Sequence, residues 1–70
     1  MQLSSRNQLK ATVVGVKLGG IMAEVVMRLE GGDELVAAIT RSSAERLGLQ
    51  PGAQVTAIIK ATEVMVAAEE

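Results

Sequence analysis

Cysteine and histidine are both absent from this chain of 70 residues. Without cysteine there is no disulfide and no thiolate metal site, and without histidine zinc and copper lose their most common ligand. A Ser–His or Cys–His catalytic pair is excluded as well. Serine has no base partner other than Lys60, and most acids lie at predicted strand ends, in turns or at the C-terminus, so no catalytic pair is indicated. The sequence therefore predicts a protein that is not an enzyme.

Aromatic residues are also missing, although 49% of the residues are hydrophobic. A core of aliphatic side chains and methionine buries little area per residue compared with a core that contains aromatic rings. A domain of this size buries only about 60% of the surface of its unfolded chain, so it is marginally stable alone. With neither disulfide nor metal to support it, the chain is expected to associate with copies of itself.

Basic residues are not in excess: the chain has seven Lys and Arg and eight Asp and Glu, so its net charge is −1. A nucleic-acid-binding module of this size usually has a basic stripe and often stacking aromatics. No apolar run approaches the length that spans a bilayer, and the first residues lack the hydrophobic stretch of a signal peptide. We therefore expect a cytoplasmic protein, with neither nucleic acid nor a membrane as its partner.

Alternating apolar and polar residues predict five β-strands, and a short helix precedes the last two. The predicted strands are residues 9–18, 21–29, 33–40, 54–60 and 63–67. Gly31-Gly32 predicts a hairpin between the second and third strands. Ser42 and Glu45 have the capping-box spacing, so Ser42 is the predicted N-cap, and Gly48 is the predicted C-terminal cap. Residues 1–70 are thus expected to form one all-β domain, an OB-like five-stranded β-barrel with one short helix.

Several of the predicted strands are apolar on both faces. Met22, Val26, Val36, Ala38 and Ile58 lie opposite the clearest core positions, and the last strand contains Val64, Met65 and Val66 in succession. A strand with apolar residues on both faces must be buried on both faces. The second cover is expected to be another copy of the chain.

Two clusters of hydrogen-bond donors stand out among the polar residues: residues 4–8 and residues 40–43. Lys60 is a further donor at the end of the apolar fourth strand, with Thr62 just beyond it. Hydroxyls, amides, guanidinium and ammonium groups are suited to an oxyanion, whereas a cation site would need clustered carboxylates. Each residue also has a structural interpretation: Ser42 as a helix cap, Arg6 as a solvated charge and Lys60 as a strand-end side chain. The residues alone do not identify the anion.

The chain resembles the molbindin (Mop) family across nearly its whole length. The stretches that carry the resemblance are Ser4-Ser5-Arg6-Asn7-Gln8-Leu9, Val25 to Leu29 with Gly31-Gly32, Ile39-Thr40 with Ser43-Ala44, Leu47-Gly48-Leu49, and Ile59-Lys60-Ala61 with Val64-Met65. At Ala11 the chain departs from the pattern, because the family commonly has a glycine there. That position is interpreted as structural, so the inference about the ligand is kept.

The resemblance implies a homohexamer, a trimer of dimers, that binds molybdate between subunits, with tungstate as a close mimic. Molybdenum would be held only as this oxyanion, for intracellular storage or homeostasis. On the family pattern the implied ligand contacts are Ser4, Ser5, Arg6, Asn7, Thr40, Ser42, Ser43, Lys60 and Ala61. Two other functions stay open: a protein–protein interaction module without a small ligand, and a binder of a pterin or nucleotide anion, which would normally need a stacking surface.

Overall fold

The computed structural model describes residues 4–69. Its elements in chain order are β1 (Asn7–Leu18), β2 (Met22–Leu29), β3 (Glu34–Thr40), α1 (Arg41–Arg46), β4 (Gln54–Ile59) and a 3₁₀ turn (Ala61–Glu63). The four strands form one antiparallel sheet in the order β3-β2-β1-β4. The predicted all-β class with one short helix is confirmed, as is the hairpin of β2 and β3.

The predicted fifth strand, residues 63–67, is wrong for the conformation of the described chain. Glu63 ends the 3₁₀ turn, and residues 64–69 have no regular secondary structure. A strand requires a neighbour that accepts and donates its backbone hydrogen bonds, and this segment pairs with none of the four strands. Its apolar residues remain exposed as a result: Val64, Met65 and Val66 are 49%, 94% and 92% exposed. The sheet is therefore curled and open, not a closed five-stranded barrel.

Strand β1 connects the two halves of this sheet. Residues 7–12 pair with β4 and residues 11–18 pair with β2, so only Ala11 and Thr12 have partners on both sides. The register with β2 shifts between Val13 and Gly15, which is a β-bulge or similar irregularity. A bulge bends a strand and increases its twist. The irregularity therefore lies where β1 passes from one partner strand to the other.

Small side chains form the core between the strands and the helix. The buried hydrophobic residues are Ala11, Val13, Ala23, Val25, Met27, Ala44 and Ala57. On the other face of the sheet Met22, Val36 and Ile58 stay about half exposed. At about 25 cal/mol per Å² of buried apolar surface, side chains of this size contribute little each. The small core and the exposed second apolar face agree with the sequence-based expectation that the chain needs further cover.

Helix α1 begins two residues earlier than the capping-box spacing predicts. The N-cap is Thr40, not Ser42: the Thr40 Oγ1 accepts a hydrogen bond from the Ser43 backbone N–H at 3.1 Å. Glu45 forms an ion pair with Arg41 instead of capping the helix. Because Thr40 ends β3, it can adopt the extended backbone that an N-cap needs and still satisfy a helix N–H.

The C-terminal end of α1 follows the prediction. Gly48 has φ +66°, and the backbone N–H groups of Gly48 and Leu49 donate to the carbonyls of Glu45 and Ala44. This pair of hydrogen bonds is the Schellman motif, which places a left-handed residue just beyond the helix. The motif turns the chain toward Pro51 and the start of β4.

We expect Gly48→Ala to lower the free energy of unfolding by about 1–2 kcal/mol, because an L side chain is strained at this left-handed φ. Gly31→Ala is the matched control, since Gly31 has no positive φ and nothing within 4 Å of an added Cβ. Urea unfolding followed by far-ultraviolet circular dichroism, at one chain concentration, measures both. Equal effects of the two substitutions would contradict the assignment of Gly48 as the cap.

Candidate anion-binding site

The structure divides the predicted ligand residues between two depressions. The first, of about 470 Å³, is lined by Ser4, Ser5, Arg6, Asn7, Lys60, Ala61 and Thr62. The second, of about 340 Å³, is lined by Gly20, Ile21, Thr40, Arg41, Ser42 and Glu45. Ser43 lies beside the second depression, with its Oγ 2.7 Å from the Thr40 Oγ1. We call them the Arg6 depression and the Thr40 depression.

The two depressions lie at opposite ends of β1. The Arg6 depression forms where Asn7 pairs with Ile59, and the Thr40 depression forms beyond Leu18, where the chain turns into β2. A strand advances about 3.3 Å per residue, so these ends are on the order of 30 Å apart along β1. A single small oxyanion cannot contact both clusters of one chain. A site that uses all the predicted residues requires more than one copy.

Two of the predicted ligand residues hold the wall of the Arg6 depression together. The Ser5 hydroxyl donates to the Ile59 carbonyl at 2.9 Å, and the Asn7 side-chain amide donates to the same oxygen at 3.1 Å. The Asn7 backbone N–H donates to the Ser5 Oγ at 3.4 Å. These bonds join the segment before β1 to the end of β4. They bring residues from the two ends of the sequence into one depression.

The charge of the Arg6 depression is purely positive. Arg6 and Lys60 both line it, and no Asp or Glu does. Within residues 4–69, neither of these cations takes part in an ion pair. Two cations that line one depression repel each other, and an anion that binds between them forms charge-assisted hydrogen bonds. The side chains therefore remain available to an anion.

Hydroxyls and backbone N–H groups add directional donors beside this charge. Ser4 and Thr62 contribute hydroxyls to the lining. Ala61 begins the 3₁₀ turn, and the residue before it, Lys60, makes no side-chain capping bond. The first N–H groups of a helical turn have no partner within the turn. Thr62 stands out in the sequence as a donor just beyond Lys60, but it was not among the predicted ligand contacts.

The Thr40 depression differs from the Arg6 depression in its charge and in the hydrogen bonds that its donors already make. The Nε of Arg41 is 3.4 Å from the Glu45 carboxylate, and its Nη1 donates to the Gly19 carbonyl at 3.1 Å. The hydroxyl of Thr40 is used for capping and for a bond to Ser43. Arg41 was not among the predicted ligand residues, and its position between Thr40 and Ser42 was the available signal. An anion here would have to compete with Glu45, so the Arg6 depression is the better anion site.

Among residues 4–69, no group of three or more acidic, cysteine or histidine side chains is placed to hold a metal ion. None of the helices in that part of the chain has the length and hydrophobicity needed to cross a membrane.

Comparison with known proteins decides the family. The TOBE domain family matches residues 3–66. The chain belongs to this family. Molybdenum-pterin-binding protein 1 of Clostridium pasteurianum is 50% identical to this TOBE domain over 68 residues, which is 97% of this chain and 100% of the relative. The resemblance to the molbindin (Mop) family is confirmed by this match.

Solved structures agree with the fold of this TOBE domain. A molybdate-binding protein from Sporomusa ovata superimposes with a TM-score of 0.91 and 50% identity, covering 97% of this chain and 100% of that one. The cytoplasmic molybdate-binding protein ModG, solved with molybdate bound, has a TM-score of 0.84 and 43% identity over 87% of this chain and 43% of its own. The OB-like architecture predicted from the sequence is therefore confirmed, apart from its fifth strand.

We expect Thr40→Ala to lower the unfolding free energy of the ligand-free protein by about 1 kcal/mol, the usual effect of losing an N-cap hydroxyl. Ser42→Ala is the control and should change it by less than about 0.5 kcal/mol, because the Ser42 hydroxyl only approaches Thr40 at 3.4 Å. Chemical denaturation without added anion measures both. A larger loss for Ser42→Ala would restore Ser42 as the cap.

Proposed function

We propose that this chain is a molybdate-binding protein, without enzymatic activity, that holds the dianion between copies of itself and serves molybdenum storage or homeostasis in the cytoplasm. The observation that carries the proposal is the Arg6 depression, which contains two cations and no carboxylate. Full-length relatives named for molybdenum binding, and a cytoplasmic structural neighbour solved with molybdate, support the choice of anion and of compartment.

The donors of the Arg6 depression suit the chemistry of molybdate. Molybdate is a tetrahedral dianion with four acceptor oxygens and no proton at neutral pH. The Arg6 guanidinium can donate two parallel hydrogen bonds to neighbouring oxygens, and the Lys60 ammonium adds a mobile point charge. The nearby hydroxyls and the Ala61 N–H can bind the remaining oxygens. Tungstate, with the same shape and charge, should be a close mimic.

The exposure of the depression supports a site that is completed by a second copy. Ser4, Arg6, Lys60 and Ala61 are all exposed in the single chain, so water competes for the anion at each donor. Cover by another subunit would exclude that water and strengthen the charge-assisted bonds. The Thr40 cluster, on the order of 30 Å away along β1, can reach the same ion only from another copy. Binding at such a site also stabilises the assembly, which we expect to be a hexamer built as a trimer of dimers.

Pterin binding is the second candidate, because the names of several relatives include this compound. A pterin ring needs a flat apolar or aromatic surface on which to stack. The sequence has no aromatic residue, and the Arg6 depression is lined mainly by polar and charged side chains. The inorganic anion is therefore the better-supported ligand.

Arg6→Ala and Lys60→Ala should each weaken molybdate binding by roughly ten- to a hundredfold, since a charge-assisted hydrogen bond contributes about 1.5–3 kcal/mol. Neither substitution should lower the melting temperature of the ligand-free protein, because each removes repulsion between two cations. Isothermal titration calorimetry and thermal denaturation of the same samples measure the two effects.

The control for these variants is Lys10→Ala, which removes an exposed cation that lines neither the Arg6 depression nor the Thr40 depression. Its molybdate affinity should equal that of the wild type. If all three variants bind molybdate equally well, Arg6 and Lys60 are solvated charges and the site assignment is wrong. A titration with a pterin in parallel tests the second candidate.

Sulfate and phosphate should compete poorly with molybdate. Phosphate carries protons near neutral pH and presents a hydroxyl that a site made only of donors cannot satisfy. Sulfate is smaller, so donors spaced for molybdate cannot all close on it, and each unpaired buried donor costs roughly 1–3 kcal/mol. Displacement titrations of the molybdate-loaded protein measure the selectivity. Equal competition by sulfate would show a general anion site instead.

A further inference from the structure

The carbonyl oxygen of Ile59 is the point at which the two ends of the sequence meet beside the Arg6 depression. It accepts hydrogen bonds from the Ser5 hydroxyl at 2.9 Å and from the Asn7 side-chain amide at 3.1 Å. A carbonyl oxygen has two lone pairs, so these two side chains satisfy it fully. Arg6 lies between the two donor residues in the sequence, and Lys60 directly follows the acceptor. One acceptor atom thus joins the two backbone segments that carry the cations.

This carbonyl lies where the pairing of β1 with β4 ends. Asn7 begins β1, Ile59 ends β4, and the two form the terminal pair of the register. The end of a strand pair opens more easily than its middle. The two side-chain hydrogen bonds hold this end closed. Because the peptide unit is planar, they also fix the orientation of the peptide bond that leads into Lys60.

Burial and hydrogen bonding distinguish the residues that hold this junction from the cations. Ser5, Asn7 and Ile59 are partly buried, whereas Arg6 and Lys60 are exposed. A hydroxyl has one proton, and Ser5 already donates its proton to the Ile59 carbonyl. The Ser5 hydroxyl could donate to an anion only by giving up that bond. Its position suits a structural role better than a ligand contact.

The hydrogen bonds at this junction oppose an electrostatic repulsion. Arg6 and Lys60 line one depression, and within residues 4–69 neither forms an ion pair. In the absence of an anion, their repulsion favours separation of the segment before β1 from the end of β4. Bonds that resist this separation keep the donors in place before the anion arrives. Binding then costs less conformational entropy, because the site is already arranged.

We infer that Ser5 and Asn7 are positioning residues whose side chains do not bind the anion. Through the Ile59 carbonyl they hold Lys60 beside Arg6. This role replaces the ligand contacts that the family pattern implies for these two side chains. The inference rests on the proposed function for the identity of the anion.

A double-mutant cycle separates positioning from direct contact. Asn7→Ala should weaken molybdate binding by roughly three- to tenfold in the wild-type background, the usual range for one lost hydrogen bond. In the Lys60→Ala background the same substitution should weaken binding by less than about twofold, because the cation that Asn7 positions is already absent. A direct contact would give the same loss in both backgrounds. Isothermal titration calorimetry measures the four proteins.

Ser5 offers a conservative rescue, and Gln54 offers a matched control. Ser5→Ala should act like Asn7→Ala, whereas Ser5→Thr keeps the hydroxyl and should retain the wild-type affinity. The Gln54 side-chain amide donates to the Thr12 Oγ1 at 3.1 Å, at the other end of the same strand pair. Gln54→Ala therefore removes a comparable bond between β1 and β4 outside the Arg6 depression. It should leave the molybdate affinity unchanged.

Hydrogen–deuterium exchange of the anion-free proteins tests the positioning without molybdate. The Glu63 backbone N–H donates to the Lys60 carbonyl at 2.9 Å, so its exchange rate reports whether the chain after β4 is held. This amide should exchange roughly two- to tenfold faster in Asn7→Ala and in Ser5→Ala than in the wild type. It should exchange at the wild-type rate in Ser5→Thr and in Gln54→Ala.

Three results would each overturn the inference: unchanged exchange in both alanine variants, unchanged molybdate affinity in both, or an equal loss of affinity in the two backgrounds of the cycle. Each alanine variant keeps one of the two bonds to Ile59, and its far-ultraviolet circular dichroism shows whether it folds. If one unfolds, the other decides. A wild type that does not bind molybdate would reject the proposed function, and the exchange rates would then decide the inference alone.

Discussion

The pairing of β1 with two different strands is the constraint on which the rest of this structure depends. The first half of β1 binds β4, its second half binds β2, and only Ala11 and Thr12 are paired on both sides. The irregularity between Val13 and Gly15 lies at the changeover, where extra twist lets the sheet curl. The curl brings β3 and β4 to the two sides of one apolar cleft. The divided pairing also puts the two donor clusters at opposite ends of a single strand.

Much of this fold could be predicted from local patterns in the sequence. Alternation between Met22 and Leu29 reflects a sheet with one face buried, and glycine pairs mark turns where the chain reverses. Gly48 could be identified as a cap because a left-handed residue is needed there and glycine accepts it without strain. The N-cap was mispredicted because Thr40 ends β3 and caps α1 at once, which a search that treats each element separately does not consider.

The fifth strand shows the limit of such patterns. Apolar, β-branched residues indicate only that a segment favours an extended, buried environment. They do not indicate which strand edge will provide its hydrogen bonds. In the single chain no strand edge provides hydrogen bonds for Val64–Val66, so this apolar segment does not form the predicted strand. The prediction that both faces of several strands need cover also comes from apolar residues alone, and it does not say what covers them. In the single chain Met22 and Val36, on the second face, stay exposed.

The candidate site was predictable in its residue types and less so in its arrangement. The donor types of Arg6 and Lys60 were read from the sequence, but the pairing of their neighbours Asn7 and Ile59, which puts both in one depression, was not. Sequence distance could not show that Thr40 lies far from them in the same chain. It also could not show that Glu45 forms an ion pair with Arg41. That pair requires both residues to lie in the helix, and the predicted N-cap, Ser42, left Arg41 outside it.

The distance in sequence between Asn7 and Ile59 sets an order of events during folding. β1, β2 and β3 are consecutive antiparallel strands with short connections, and such hairpins form on the microsecond scale. Asn7 and Ile59 are 52 positions apart. Docking β4 on the first half of β1 therefore closes a much longer loop and costs more conformational entropy. The meander should therefore form first, and the Arg6 depression, which exists only after β4 has docked, should be among the last features to appear. A nascent or partly unfolded chain would then carry its cations apart, and only the completed sheet would bring them together.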